Sequence, residues 1–345
     1  MLRSHIYGFI SLLGLVTPAS ASTAKPPVNE RGLAARIDYL ARHSQGEVGL
    51  CAIHVPSAWQ FCHQGDMPFS TASTYKVPIA LQFLRRAAFD RLDLDTLVPL
   101  RPGDMRAFGP LATYFPSAEV AVSWRRLLHL MITVSDNTAS DIILRRAGGT
   151  AAVTQMLSDL RITGMRVDRS VLELLYDIYG LGLAPPDGKV SLAQLRQLRA
   201  GVSRKDAHAA DFAFGLDRRD HTTPLAMAQL LREVVVRAPH EESMQQLWDL
   251  MAQTVPARMT LLLPPGTRVA RKTGSNSQHA YNDVGIIDLP NDRGQLILTL
   301  FLRSRRPVAD KEILMGQLAR ATYDHAIRNL GHTDPPATQQ RAASK

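Results

Sequence analysis

The chain has 345 residues, 45% of them apolar and 21% charged, and carries a formal net charge of +9 at pH 7. That composition excludes a disordered or low-complexity polymer and suits one large domain or two modest ones. The basic residues are scattered and not interleaved with aromatics in any run, which argues against nucleic-acid binding.

Met1 to Ala21 combines Arg3, an apolar run from Ile6 to Val16, and Ala19-Ser20-Ala21. This is the pattern of a cleaved secretory signal peptide, too short for a convincing membrane anchor. No cysteine beside the cleavage point offers a lipid attachment site, and no later segment is apolar enough to span a bilayer. A periplasmic or secreted protein is therefore expected, with no membrane attachment after cleavage.

Ser22 to Asn29 is a Pro-containing lead-in, and Glu30 to His43 places Leu33, Ile37 and Leu40 on one helical stripe. Two β-like runs follow, Val48 to Val55 and Trp59 to His63, joined by a short turn containing Pro56-Ser57. They hold the only two cysteines, Cys51 and Cys62, which are directly opposed if the turn centres on Pro56-Ser57. A disulfide suits an exported chain, and two partly buried free thiols are the alternative. With two cysteines and scattered histidines, no metal site is expected, and no cofactor.

Gly65 to Ala72 connects to a helix that starts at Ser73 and runs to about Phe89; Pro78 is tolerated in its first turn, where few backbone bonds can be lost. Ser73 and Lys76, three apart, share a helical face, so the amine can reach the hydroxyl. Asp90 to Ala121 reads as loop-rich, punctuated by Pro99, Pro102, Gly109, Pro110 and Pro116. Ser123 caps a helix over Trp124 to Val134, and another runs from Thr138 to Ala147, closed by Gly148-Gly149. The polar tripeptide Ser135-Asp136-Asn137 lies between them, and Thr150 to Leu160 is a further short helix.

Arg166 to Thr223 is broken by Pro185, Pro186 and Gly188, although Ser191 to Gln194 has the form of a capping box for a helix ending near Gly201. Helices are expected from Thr223-Pro224 to about Val236 and from Pro239 to Thr254. Three strands follow, Arg268 to Thr273, Tyr281 to Leu289 and Gln295 to Arg303, then a long helix from Val308 to Leu330. The expected fold is α/β (α+β): an antiparallel sheet of about five strands from the two ends of the chain, flanked by helices, plus an all-helical domain. Its boundaries would be 1–21 for the signal, 22–72 with 225–332 for the sheet domain, 73–224 for the helical domain and 333–345 for a flexible tail.

Lys272-Thr273-Gly274 ends the first late strand. With Ser73-x-x-Lys76 and Ser135-Asp136-Asn137 it completes the motif order of class A β-lactamases and penicillin-binding proteins. Each tripeptide should arise by chance about once in several thousand residues. The chain resembles a class A β-lactamase from about Glu47 to Leu330, including Thr71 to Pro78, Thr133 to Ala139, Pro265 to Gly274 and Asn282 to Ile286.

The resemblance implies acyl transfer. Ser73 would be the nucleophile, Lys76 its candidate base, and Ser135 the relay to the leaving nitrogen. Asn137 would hold the substrate's side-chain amide, Lys272 and Thr273 its carboxylate, and Gly274 would leave room along the strand. Backbone N–H groups of Ser73 and Ser275 would form the oxyanion hole, where a donor is often worth about 3 kcal/mol of barrier. Arg258 stands fourteen residues before Lys272, where some members place an arginine that reaches the same carboxylate; an ordinary surface arginine is the alternative. Asn282 occupies the strand position where other members place theirs. Phe108 resembles the aromatic wall of the cleft, or else packs its own loop.

Arg166-Val167-Asp168-Arg169 resembles the opening of the family's Ω-loop, but the position of the glutamate that activates the deacylating water is Val171. A valine cannot accept a proton, so a contribution of about 10² to 10⁴-fold would be absent. Glu173 could replace it if the loop is remodelled, or could serve as an ion-pair or solvated acid; the segment from Val171 to Pro224 is longer than the family's loop.

Three functions follow from this departure. One is a working β-lactamase with a rerouted or slow deacylation. Another is a penicillin-binding acyltransferase, esterase or D,D-peptidase-like hydrolase whose substrate is an ester or a peptidoglycan peptide. The last is a non-catalytic exported binding protein. In each case the partner is a small β-lactam or peptidoglycan-like molecule, and a monomer is expected.

Overall fold

The computed structural model describes residues 28–255, 258–276 and 280–330; the expected signal peptide (1–21) and tail (333–345) lie outside them. Helix α1 (Val28–Arg42) precedes a hairpin of β1 (Gly46–His54) and β2 (Trp59–His63). A short strand β3 (Phe69–Ser70) and a 3₁₀ turn (Ala72–Tyr75) lead into α2 (Lys76–Phe89). Then come β4 (Leu97–Leu100), α3 (Pro110–Tyr114), β5 (Val120–Ser123), α4 (Trp124–Thr133), α5 (Asn137–Arg146) and α6 (Gly149–Asp159). Next are α7 (Val171–Tyr179), α8 (Leu192–Ala200), α9 (Arg204–Leu216), β6 (His221–Thr222), α10 (Pro224–Arg237) and α11 (Glu242–Ala252). The chain closes with β7 (Val269–Ser275), β8 (Tyr281–Asp288), β9 (Gln295–Ser304) and α12 (Val308–Asn329).

The five long strands form one antiparallel sheet in the order β2-β1-β9-β8-β7, so the last strand of the chain slots between its first and the two before it. Both faces are covered, which is why β1, β8 and β9 read as nearly continuous apolar runs. Alternation still decides which core each side chain joins. Val48, Leu50, Ala52, Leu298 and Leu300 pack with Ile37, Leu40, Leu314 and Leu318 of the terminal helices. Cys51, Ile53, Ile297 and Phe301 face the other way, toward α2, α10 and α11. Cys51 and Cys62 are register partners and form a disulfide.

The structure refines three expectations. The loop-rich stretch from Asp90 to Ala121 also holds β4, which pairs with β5 as a small antiparallel ladder. The helix expected from Pro239 starts only at Glu242, since His240 and Glu241 still donate back to the Arg237 carbonyl. Arg166 to Thr223 carries α7 and α9 as well as α8. The signals for α7 were present: Ser170 and Glu173 form a reciprocal capping box, and Gly180 ends the helix with a left-handed backbone. Among the described residues no helix is long and apolar enough to cross a membrane.

Candidate active site

Ser73 lies in the 3₁₀ turn rather than in an α-helix, one residue after Ala72, whose φ of +43° is uncommon for a residue with a side chain. The turn passes directly into α2, which places Lys76 at the helix start with its side chain fully buried. Its Nζ donates to Ser135 O (2.7 Å) and Asn137 Oδ1 (2.8 Å), and lies 3.1 Å from Ser135 Oγ. Ser135 turns the chain between α4 and α5 with φ +60°. That left-handed residue is held by its neighbour, because the Asp136 carboxylate caps α5 at Ala139 N (2.8 Å) and accepts Leu111 N (2.9 Å).

Lys272 arrives from the edge strand β7. Its Nζ lies 3.1 Å from the same Ser135 Oγ and 2.9 Å from Thr273 O, so one hydroxyl bridges two buried amines. Gly274 is required by close approach: a Cβ there would sit 2.8 Å from Thr71 O and 2.9 Å from Ser73 N, both backbone atoms that cannot move aside. β7 thus lies flat against the nucleophile's turn, and Ser275 lines the cleft beside Ser73. Thr273 precedes Gly274 on the same strand.

Asn282 of β8 donates to Ser70 O (2.8 Å) and Thr71 O (3.0 Å), tying the segment before Ser73 to the sheet. Arg258 is not a free surface arginine. Its guanidinium donates to Gly274 O (2.8 Å) and Asn282 O (2.5 Å) and stacks on Tyr281, 3.7 Å from the ring centroid.

Burial governs the charges. It pulls Lys76 down to about 7, with Asp136 and Asp141 opposing the shift. Lys272 is lowered by burial first, then by the nearby charges of Lys76 and Arg258. A neutral Lys76 has two N–H bonds, which Ser135 O and Asn137 Oδ1 can accept. Its lone pair then points toward Ser135 Oγ–H, the geometry of a proton relay.

Ser73, Ser135 and Ser275 line a cleft of about 860 Å³ that also touches Phe108, Asn137 and Val171. Phe108 stands 73% exposed on its rim with φ +65°. Val171, buried, presents an isopropyl group where the resemblance implies a carboxylate. Glu173 is not brought to the cleft: it is exposed on α7, and its Oε2 accepts Ser170 N (2.6 Å) and Ser170 Oγ (2.7 Å). Two other cleft carboxylates are engaged by cations, Asp220 by Arg169 (2.6 Å) and Asp217 by Arg169 (3.0 Å) and Arg219 (2.5 Å). Among the described residues no cluster of three His, Cys, Asp or Glu side chains could hold a metal ion.

Sequence reasoning missed the Arg106–Asp141 pair, 2.7 Å apart and almost wholly buried. Asp141 also accepts Val171 N (2.6 Å) and Leu172 N (3.2 Å), so it sets where α7 begins. Arg106 further donates to Gly103 O (3.0 Å) and to Gly188 O, joining the α7–α8 connection to the wall of the cleft. Neither residue carries a local motif.

Residues 32–326 match the model of the β-lactamase enzyme family. The chain is 29% identical over 297 residues to β-lactamase L2 of Stenotrophomonas maltophilia, covering 85% of this chain and 86% of that one. Its fold is similar to that of a β-lactamase from Chitinophaga pinensis, with a TM-score of 0.68 and 22% identity over 86% of this chain and 99% of the other. It is likewise similar to an ancestral class A β-lactamase (GNCA), with a TM-score of 0.67 and 24% identity over 85% and 99%.

Proposed function

The chain belongs to the β-lactamase enzyme family and carries the class A fold, and from that premise we propose that it opens β-lactam rings through an acyl-enzyme on Ser73 that it releases slowly. In this reading Ser73 Oγ attacks the lactam carbonyl and its proton passes to neutral Lys76. The C–N bond then breaks as Ser135 delivers a proton to the leaving nitrogen, and Lys76 replaces the proton on Ser135. Lys272 and Thr273 receive the substrate carboxylate, whose charge draws a proton back onto Lys272. Asn137 holds the side-chain amide, and Ser73 N and Ser275 N face the developing oxyanion.

The single observation that carries the reading is the contact chain Lys76–Ser135–Lys272, whose Ser135 lines the same cleft as Ser73. Slow release is supported by Val171 together with the capping role of Glu173: neither supplies a base to the deacylating water. The same observation favours a second reading, in which β-lactams act as trapping analogues of an ester or peptidoglycan peptide. We further propose export, supported by Met1 to Ala21 and by the Cys51–Cys62 disulfide.

Intact-protein mass spectrometry after mixing with a penicillin tests the reading. The expected result is a persistent adduct of the penicillin's mass, absent in Ser73→Ala. Neither adduct nor hydrolysis would overturn both readings; rapid turnover with no accumulated adduct would overturn slow release alone.

A further inference from the structure

We propose that Arg258 is a positioning residue for the oxyanion hole: its guanidinium fixes and polarises the peptide unit joining Gly274 to Ser275, whose N–H faces the reacting carbonyl. This deepens the acyl-enzyme reading above and rests on it.

The strand ladder decides where that N–H points. Asn276 N donates to Ala280 O (3.3 Å), so these two residues form a hydrogen-bonded pair. Antiparallel pairs alternate, which makes Gly274 and Asn282 the next hydrogen-bonded pair and leaves Ser275, opposite Tyr281, in a pair without ladder bonds. The Gly274 carbonyl therefore points into the sheet toward β8, and the Ser275 N–H points out of it. Because β7 is the edge strand, that open side meets the 3₁₀ turn carrying Ser73. A trans peptide holds its C=O and N–H on opposite sides of one rigid plane, so whatever grips the carbonyl aims the N–H.

Arg258 grips it. Its Nη1 donates to Gly274 O (2.8 Å) and to Asn282 O (2.5 Å), the two carbonyls of one ladder pair. The Gly274 oxygen has two lone pairs, one for the ladder N–H of Asn282 and one for the guanidinium. A cation on a peptide oxygen draws electron density away from the nitrogen, which makes the N–H a stronger donor. The guanidinium is itself braced. It lies 3.7 Å from the ring centroid of buried Tyr281, whose hydroxyl donates to Glu312 Oε1 (2.8 Å). The next residue is pinned to β8, where Met259 N donates to Asp283 Oδ2 (3.1 Å). Asn282 meanwhile holds Ser70 O and Thr71 O through its side chain, so one ladder pair steadies both N–H donors of the hole.

The test follows acylation of Ser73 by a penicillin and by its methyl ester, which lacks the carboxylate charge, in rapid-quench mass spectrometry of the wild-type protein and Arg258→Gln. Deleting an oxyanion donor costs about 10²- to 10³-fold, and one left present but poorly aimed should cost about tenfold with either compound. A residue that only bound the substrate carboxylate would slow the penicillin and leave the ester unaffected. Infrared difference spectra of the acyl-enzyme, made with an isotope-labelled lactam carbonyl, read the same hydrogen bond directly. The carbonyl band is expected at higher wavenumber in Arg258→Gln and back toward its wild-type position in Arg258→Lys, with thermal melts confirming that both variants fold. Tyr281→Leu, which removes only the ring beneath the guanidinium, is expected to move the band the same way by less, and is the variant read if Arg258→Gln does not fold. A methyl-ester rate within threefold of wild type, or an unmoved band, overturns the inference; where the ester reacts too slowly to follow, the band alone decides. No adduct on the wild-type protein overturns the acyl-enzyme reading itself, whereas equal behaviour of wild type and variants overturns the role of Arg258 only.

Discussion

Under the proposed slow release, replacing Val171 by Glu should convert a persistent acyl-enzyme into a rapidly cleared one. The position is the first residue of α7, its backbone N–H is fixed by Asp141 at 2.6 Å, and its side chain already faces the cleft beside Ser73. Val171 is buried in the core cluster while also bordering the cleft, so a glutamate there would have to direct its carboxylate outward past the isopropyl position. The helix N-terminus favours its charged form by about 0.3 to 1 kcal/mol. Burial and the nearby Asp141 carboxylate push the other way, raising its proton affinity toward the range useful to a general base. Such a base is worth about 10² to 10⁴-fold, so the adduct lifetime should fall by that factor while the acylation rate changes little. Placing a partly desolvated carboxylate in the wall should cost about 1 to 3 kcal/mol of stability. The assay is a penicillin pulse followed by mass spectrometry of the adduct over time, with Val171→Gln as the matched control that cannot accept a proton. A lifetime unchanged in Val171→Glu, or shortened equally in Val171→Gln, would refute the argument that a missing base limits release.

Two other outcomes are expected. Because Lys76 is pulled from its ordinary 10.5 to about 7, its proton-accepting form is lost below pH 7. The second-order acylation rate should therefore rise about tenfold per pH unit up to about 7 and then level off, read by stopped-flow from pH 5 to 9; a flat profile would exclude Lys76 as the base. Asp141→Ala should destabilise the protein by about 3 to 5 kcal/mol in urea unfolding, because it strands the buried Arg106 guanidinium and frees the N–H groups that start α7; a loss below about 1 kcal/mol would show that the pair does not anchor this wall.

Chemistry was legible where a residue type and a short spacing suffice. Ser73 with Lys76, the tripeptide at Ser135 and the tripeptide at Lys272 each announce themselves over three or four positions. The pairing of Cys51 with Cys62 followed from the centre of a short turn. Strands from both ends of the chain implied a single sheet, and apolar runs with turn residues were enough for that.

Partnership across long separations was not legible. Lys76 of α2 meets Ser135 in the turn between α4 and α5, Arg106 meets Asp141 without any motif, and Arg258 gives its guanidinium to the carbonyls of Gly274 and Asn282. Glu173 was open to either a catalytic or a structural part, and its carboxylate closes a capping box. Pattern alone could not say which apolar residues of α7 border the cleft as well as the core, because periodicity reports only that a face is apolar. The candidate reactive groups were thus legible in the polymer itself, through the short motifs that carry the family resemblance. Their protonation, their anchoring and the shape of the space before them were decided by tertiary packing, since burial and distance exist only once remote segments have been brought together.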